Sequence, residues 1–293
     1  MKKDIITYKI EYKEGVFMKV LKGIIIGLVT ILCVAVLGLF YVYSGIGSRP
    51  EDIKSIAHRG YSKEAPENTL PAFRLAKEKG FNYGECDVAF TKDNVAVLLH
   101  DDSIDRTSDG EGKLSELTYE EVAQYDFGSW FSEEYKGLKI PTFDEFIKLC
   151  KEIEMHPYIE LKGNYSKEQI TSLVDIVDDN NMKRNVTWIS FDYDYLEYIK
   201  DVDETARLGY LSSEFEDDDL QKALSLRTGK NDVFLDLGFM YTFSWCIRKC
   251  KKENMPVEVW TLNDEILIKI MHPYISGVTS DCLIANNVLG KEK

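Results

Sequence analysis

The chain has 293 residues, 44% of them hydrophobic and 29% charged, with only 7 Pro. That is enough apolar material for a real core, and no repeat or low-complexity segment interrupts it; the length suits one large domain of barrel size once a tail is set aside. The net charge of -14 is uneven: residues 1–49 hold seven Lys/Arg against three Asp/Glu, or +4, which leaves about -18 for the remainder. A domain that acidic is a poor general binder of nucleic acid, and an anionic substrate must be attracted by local cations or a metal.

Taken in chain order, residues 1–19 form a basic segment expected in the cytoplasm, followed by an apolar run over 20–43. From Gly23 to Tyr43 it has no charged residue, and as a helix it spans roughly 30 Å of hydrocarbon. Lys19 and Lys22 flank its start, whereas Arg49, Glu51 and Asp52 follow its end. The positive-inside rule therefore predicts a single-pass anchor in the cell membrane, uncleaved, with the following domain outside the cell. Within the basic segment, Met18-Lys19-Val20-Leu21-Lys22 reads as a short basic region before an apolar run, so Met18 is expected to be the native start. A linker over 44–53 leads to the main domain, 54–290.

In that domain short β-rich runs alternate with helical ones. Strands are predicted at 55–58, 83–90 with 95–99 beside it, 157–161, 186–191, 207–211, 233–237, 257–262 and 277–280. Helices are predicted at 69–79, 142–154, 166–180, 194–200, 217–226, 242–254, 264–271 and 283–289. Asn68-Thr69 and Thr142-x-x-Glu145 are helix starts, and Gly80 is a stop. Eight strand-then-helix units predict an α/β fold, a (β/α)8 barrel of TIM type with a small polar insertion over about 101–140. A doubly wound open sheet is the alternative, but no GxGxxG follows the first strand. The six Cys are scattered without metal-ligand spacing and are expected to be free.

Chemistry in such a barrel sits at the C-terminal ends of the strands. The first predicted strand ends in His58-Arg59, the second carries Glu85 and Asp87, its neighbour ends in His100-Asp101, the third ends in Glu160-x-Lys162, and a later one carries Trp260. Glu85 and Asp87, two apart on a strand, share a face, and Cys86 points away to pack. Two carboxylates so placed repel unless a cation joins them or one holds a proton. With Glu160 they make three hard oxygen donors suited to Mg2+ or Ca2+. His58 and His100 suit general acid–base work, while Arg59 and Lys162 suit a phosphate. His156 and His272, each before a Pro, are expected to be structural.

These residues resemble the glycerophosphodiester phosphodiesterase family, specifically its membrane-anchored bacterial type. The resemblance rests on Ala57-His58-Arg59-Gly60 with Pro66-Glu67-Asn68-Thr69, Glu85-Cys86-Asp87-Val88, and Leu99-His100-Asp101 with Asp105-Arg106-Thr107. It continues through Ile140-Pro141-Thr142, Ile159-Glu160-Leu161-Lys162, Ser190-Phe191-Asp192 and Trp260-Thr261-Leu262-Asn263, over residues 55–282. It implies a TIM-like barrel, one divalent metal held by Glu85, Asp87 and Glu160, acid–base catalysis by His58 and His100, phosphate binding by Arg59 and Lys162, and hydrolysis of glycerophosphodiesters to glycerol 3-phosphate and an alcohol. Trp260 is expected to line the substrate pocket. The glycerol 2-hydroxyl is the expected first nucleophile.

The chain departs from the family at Ser276–Cys282, where a usual Pro is absent; this is expected to touch barrel closure more than chemistry. Two alternatives have different substrates or none. Lysophospholipase D-like cleavage of membrane lysolipids would use Phe127, Trp130, Phe131 and Tyr135 against acyl chains, unless these rings cap the insertion's own core. An inactive module binding glycerophosphate polymers would be expected to lack one of the His or carboxylates, and none is missing.

Overall fold

A computed structural model describes residues 22–34, 53–242 and 244–290. The chain divides into two compact units, residues 1–47 and 48–293. In the first, residues 22–34 form an exposed helix, α1. Among the described residues no helix is long and apolar enough to cross a membrane. Of the anchor expected at 20–43, residues 20, 21 and 35–43 lie outside the described residues, as do the basic segment 1–19 and most of the linker.

The second unit is built on nine strands: β1 (Lys54–His58), β2 (Tyr83–Phe90), β3 (Ala96–Leu98), β4 (His156–Leu161), β5 (Thr187–Ser190), β6 (Arg207–Ser212), β7 (Val233–Gly238), β8 (Val257–Trp260) and β9 (Gly277–Ser280). Their order is β1-β9-β8-β7-β6-β5-β4-β2-β3, with β1 also paired to β2. The β1–β2 and β1–β9 pairings are both parallel, so eight strands close into a parallel barrel. The run predicted at 95–99 is not one of them: β3 lies antiparallel on β2, Val88 facing Leu98. It begins the insertion, which carries its own small core of Val97, Leu99, Ile104, Leu114, Val122, Phe127 and Ile140.

Helices α2 (Leu70–Lys79), α3 (Tyr119–Val122), α4 (Phe143–Glu152), α5 (Lys167–Asp179), α6 (Tyr193–Val202), α7 (Asp217–Ser225), α8 (Ser244–Lys252), α9 (Glu265–Met271) and α10 (Ala285–Val288) follow the strands. All but α3, in the insertion, surround the barrel. Local chemistry explains their ends. Thr69 caps α2 and Gly80 stops it at φ 102°, a left-handed conformation that costs glycine little. Thr142 and Glu145 form a reciprocal capping box on α4.

The barrel's outer face and its helices share one large core. Its interior is plugged separately by Ile56, Tyr158, Ile189, Leu211 and Phe234. Beneath the plug, buried Glu258 accepts from Lys54 Nζ at 2.9 Å and Arg207 Nη2 at 3.2 Å, and Tyr158 lies beside it. His156 Nε2 meets Thr187 Oγ1 at 2.8 Å. Burial, with Arg207 and Lys54 nearby, pushes its pKa down to about 3, so it is a neutral packing group. The cysteines described are free, and Cys86 packs in the outer core, opposite its neighbours Glu85 and Asp87.

Candidate active site

At the C-terminal mouth of the barrel lies a cavity of about 300 Å3, lined by His58, Arg59, Glu85, His100, Glu160, Lys162, Ile189, Phe191, Leu211, Asp236, Trp260, Thr261 and Thr279. Of the residues singled out from sequence, all but Asp87 line it, and Asp87 sits directly behind.

The first strand turns sharply into the site. Arg59 has φ +56° and Gly60 φ +83°. A Cβ on Gly60 would come within 2.7 Å of the Ala72 carbonyl carbon and Cβ, so only glycine lets β1 pass this close to α2. Gly60→Ala is expected to destabilise the protein by about 1–3 kcal/mol, which thermal unfolding would read as a lowered Tm. The turn also points the Arg59 amide at Glu85, which accepts from it at 2.9 Å.

Glu85 and Asp87 are 2% and 1% exposed. Asp87 is in register with Glu160 across β2 and β4, and one oxygen from each of the three lies within 4.8 Å of the others. Glu85 Oε1 and Asp87 Oδ1 have no hydrogen-bond partner among the described residues. Without a cation the cluster resists ionisation: burial, then Asp87 and Glu160, push Glu85 well above the usual carboxylate range. Burial and Asp87, opposed by Lys162 and Arg59, push Glu160 up to about 8. Unpartnered buried oxygens on convergent carboxylates fit a hard divalent ion.

The two His rings are held alike. His58 Nδ1 lies 2.7 Å from Asp281 Oδ1, and His100 Nδ1 lies 2.6 Å from Asp101 Oδ1. With Nδ1–H given to a carboxylate, each ring is left with Nε2 as its basic position. Lys162 Nζ contacts His100 Nε2.

A chain of charges joins the first turn to the second His. Arg59 pairs with Glu67 at 2.9 Å and with Asp87 at 3.2 Å. Burial works against its charge, but Asp87, Glu85 and Glu67 outweigh this and raise its pKa. Glu67 also accepts both Arg106 Nη groups at 2.8 Å, and Arg106 Nε donates to Asp101 at 2.6 Å. Arg106 comes from the insertion, so this excursion clamps the residue that holds His100. Asn68 Nδ2 donates to Asp87 Oδ2 at 2.8 Å, and its Oδ1 accepts from the Asp87 backbone N–H at 3.2 Å. Pro66–Thr69 thus fixes an arginine, a buried carboxylate and a helix start within four residues.

Several of these partners escaped sequence reasoning, above all Asp281. The last strand, expected to touch closure more than chemistry, delivers an acidic residue to the site, and Asn263 and Ser62 hold it in place. An ionisable residue just past a barrel strand was the available signal. Asp281→Asn is expected to lower kcat about 10- to 100-fold with little change in KM, because His58 loses the group that orients it but keeps its place; steady-state kinetics would check this. Of the insertion's aromatic residues, Phe127 packs in the local core. Trp130, Phe131 and Tyr135 stack edge to face at 5.6 and 5.9 Å, with Trp130 38% exposed.

The closed parallel barrel and the acidic, histidine-bearing pocket at its mouth define an enzyme of the TIM-barrel class. Residues 58–288 match the glycerophosphoryl diester phosphodiesterase family. A glycerophosphodiester phosphodiesterase of Caldanaerobacter subterraneus subsp. tengcongensis is 30% identical over 230 residues, 77% of this chain and 93% of that protein. The structure of an Oleispira antarctica phosphodiesterase in complex with the product sn-glycerol-3-phosphate superposes with a TM-score of 0.74 at 28% identity, covering 85% of this chain and 98% of that one. A Thermotoga maritima glycerophosphodiester phosphodiesterase gives 0.62 at 26% identity, covering 79% and 96%. The chain belongs to the glycerophosphoryl diester phosphodiesterase family and is an enzyme of that activity.

Proposed function

We propose that the enzyme hydrolyses glycerophosphodiesters to glycerol 3-phosphate and an alcohol in a metal-dependent, substrate-assisted reaction. The observation that carries this is the convergence of three carboxylates, Glu85 and Asp87 buried and Glu160 half-buried, within 4.8 Å on a pocket that also holds His58 and His100. Glu85, Asp87 and Glu160 would hold one Mg2+ or Ca2+. When bound, the ion supplies a positive charge that acidifies a nearby hydroxyl and offsets charge developing on phosphate oxygens.

The protein's own groups do the rest. Arg59, tethered by Glu67 and Asp87, and Lys162 grip the phosphate, the former through a planar fork and the latter as a point charge. One His removes the proton of the glycerol 2-hydroxyl as it attacks phosphorus, and the other protonates the departing alkoxide at its Nε2. Water then opens the cyclic phosphate with the roles reversed. Asp281 and Asp101 keep the rings oriented throughout. Trp260, its indole donating to the Asp236 carbonyl at 3.1 Å and its ring edge to face with Phe191 at 5.5 Å, forms a wall of the pocket.

We also propose a single-pass anchor at residues 20–43 with the barrel outside the cell. Its support is the uncharged run Gly23–Tyr43 and the basic residues before it.

The test is release of glycerol 3-phosphate from a panel of soluble diesters, with lysolipids as comparison substrates and with chelation and metal add-back. An analogue lacking the glycerol 2-hydroxyl is expected to be inert; its normal turnover would rule out the substrate-assisted step.

A further inference from the structure

One buried carboxyl in the pocket has no task in this scheme. Asp236, on β7, is 1% exposed, lines the cavity, and belongs neither to the acidic triad nor to the ion-paired cluster around Glu258, which takes Lys54 and Arg207. Its Oδ1 has no hydrogen-bond partner among the described residues. Leaving a buried polar atom unmade is costly, and such groups call for an explanation. The cavity it lines also holds Ile189, Leu211, Trp260 and Thr279, and the charged groups that act on Asp236 are Glu258, its register partner on β8, with Glu160 and Lys54. Beyond it the barrel is closed by the plug of Ile56, Tyr158 and Phe234. The wall beside it is held firm, because Trp260 is fixed on the Asp236 backbone itself.

We propose that Asp236 determines specificity for the glycerol end of the substrate: its carboxyl hydrogen-bonds the terminal hydroxyl of an unacylated glycerol. This rests on the glycerophosphodiester reading above. With the phosphate at Arg59 and Lys162 and the 2-hydroxyl engaged in attack, the terminal hydroxyl is the one polar group of the glycerol still without a partner. A hydroxyl both donates and accepts, so it satisfies the carboxyl in either protonation state. An ester at that position removes the donor and adds a chain that the closed floor cannot admit. The pocket therefore selects soluble glycerophosphodiesters over lysolipids. A site built to bind a hydroxyl rejects the analogue that lacks it, because the buried polar group is then left unpaired.

The experiment compares wild type, Asp236→Asn and Asp236→Leu on three substrates: glycerophosphocholine, its analogue lacking only the terminal hydroxyl, and the 1-acyl lysolipid. Wild type is expected to favour glycerophosphocholine over the deoxy analogue by about 10- to 100-fold in kcat/KM, with negligible turnover of the lysolipid. Asp236→Leu should lose that preference by falling on glycerophosphocholine alone, chiefly through KM. Asp236→Asn, equal in shape and able to donate and accept, should keep part of it. Equal use of the first two substrates by wild type, or a variant that slows both by the same factor, would overturn the role of Asp236; so would efficient lysolipid cleavage. Should the Leu variant not fold, the wild-type ratio and the Asn variant decide. Wild type inactive on every glycerophosphodiester would instead overturn the underlying reading of the substrate.

Discussion

Replacing His58 or His100 with Ala is expected to lower kcat by about 100- to 10,000-fold, the range that a positioned acid or base contributes. The double variant should be little worse than the worse single one, because the two rings serve one proton circuit and groups acting as a unit are not additive. Burial of both positions is partial and neither ring belongs to a core cluster, so the melting temperature should move little. The two losses should also differ in origin. His58 is fixed by Asp281 from the last strand, whereas His100 is fixed by Asp101 and, behind it, by Arg106 and Glu67. Arg106→Ala should therefore weaken turnover through His100 while leaving the Asp281 side intact. Single-turnover and steady-state rates on one soluble diester would check all of these, and near-normal kcat in either His variant would remove that His from the proton circuit.

Chelation is expected to reduce activity by at least about 1,000-fold, since the several kcal/mol that a cation contributes convert at about 1.4 kcal/mol per tenfold. Added Mg2+ or Ca2+ should restore wild type but not Glu160→Gln. The same cluster ties stability to pH. In the metal-free protein Glu85 and Glu160 have raised pKa values, so the fold binds more protons there than the unfolded chain does. For Glu160 the resulting stability is complete below its ordinary value of 4.5, is lost as pH rises, and is gone above about 8. Each pKa unit is worth about 1.4 kcal/mol. A cation needs the carboxylates ionised, so it offsets this loss over the same window. The rise in Tm on adding metal should thus be larger at pH 8 than at pH 5, as differential scanning calorimetry would show. An equal rise at both pH values would mean that the three carboxylates are not the ion's ligands.

Much of this molecule was legible in its sequence, for reasons that are local. Strand runs and capping residues obey short-range rules, so β2 and β9 fall on their predicted limits and Thr69, Gly80 and Thr142 end or start helices as expected. Glu85 and Asp87 share a face because strand side chains alternate, a fact of the pleat and not of the fold. His58, Arg59 and Lys162 were legible because barrel chemistry gathers at strand ends, and His100 because it follows the short strand beside β2.

What only the tertiary structure decided involves residues far apart in the chain. His58 and Asp281 are 223 positions apart, and meet because β1 closes the barrel between β2 and β9. Glu67 and Arg106 meet across the insertion, 39 positions apart. Asp236 sat in a plain hydrophobic strand, Val233-Phe-Leu-Asp-Leu-Gly238, where period-two alternation shows only which way it points. Whether an inward carboxyl meets a lysine, as Glu258 does, or an open cavity, as Asp236 does, depends on the stagger of eight strands around the barrel. That stagger is a property of the closed sheet, and no segment of the chain carries it alone.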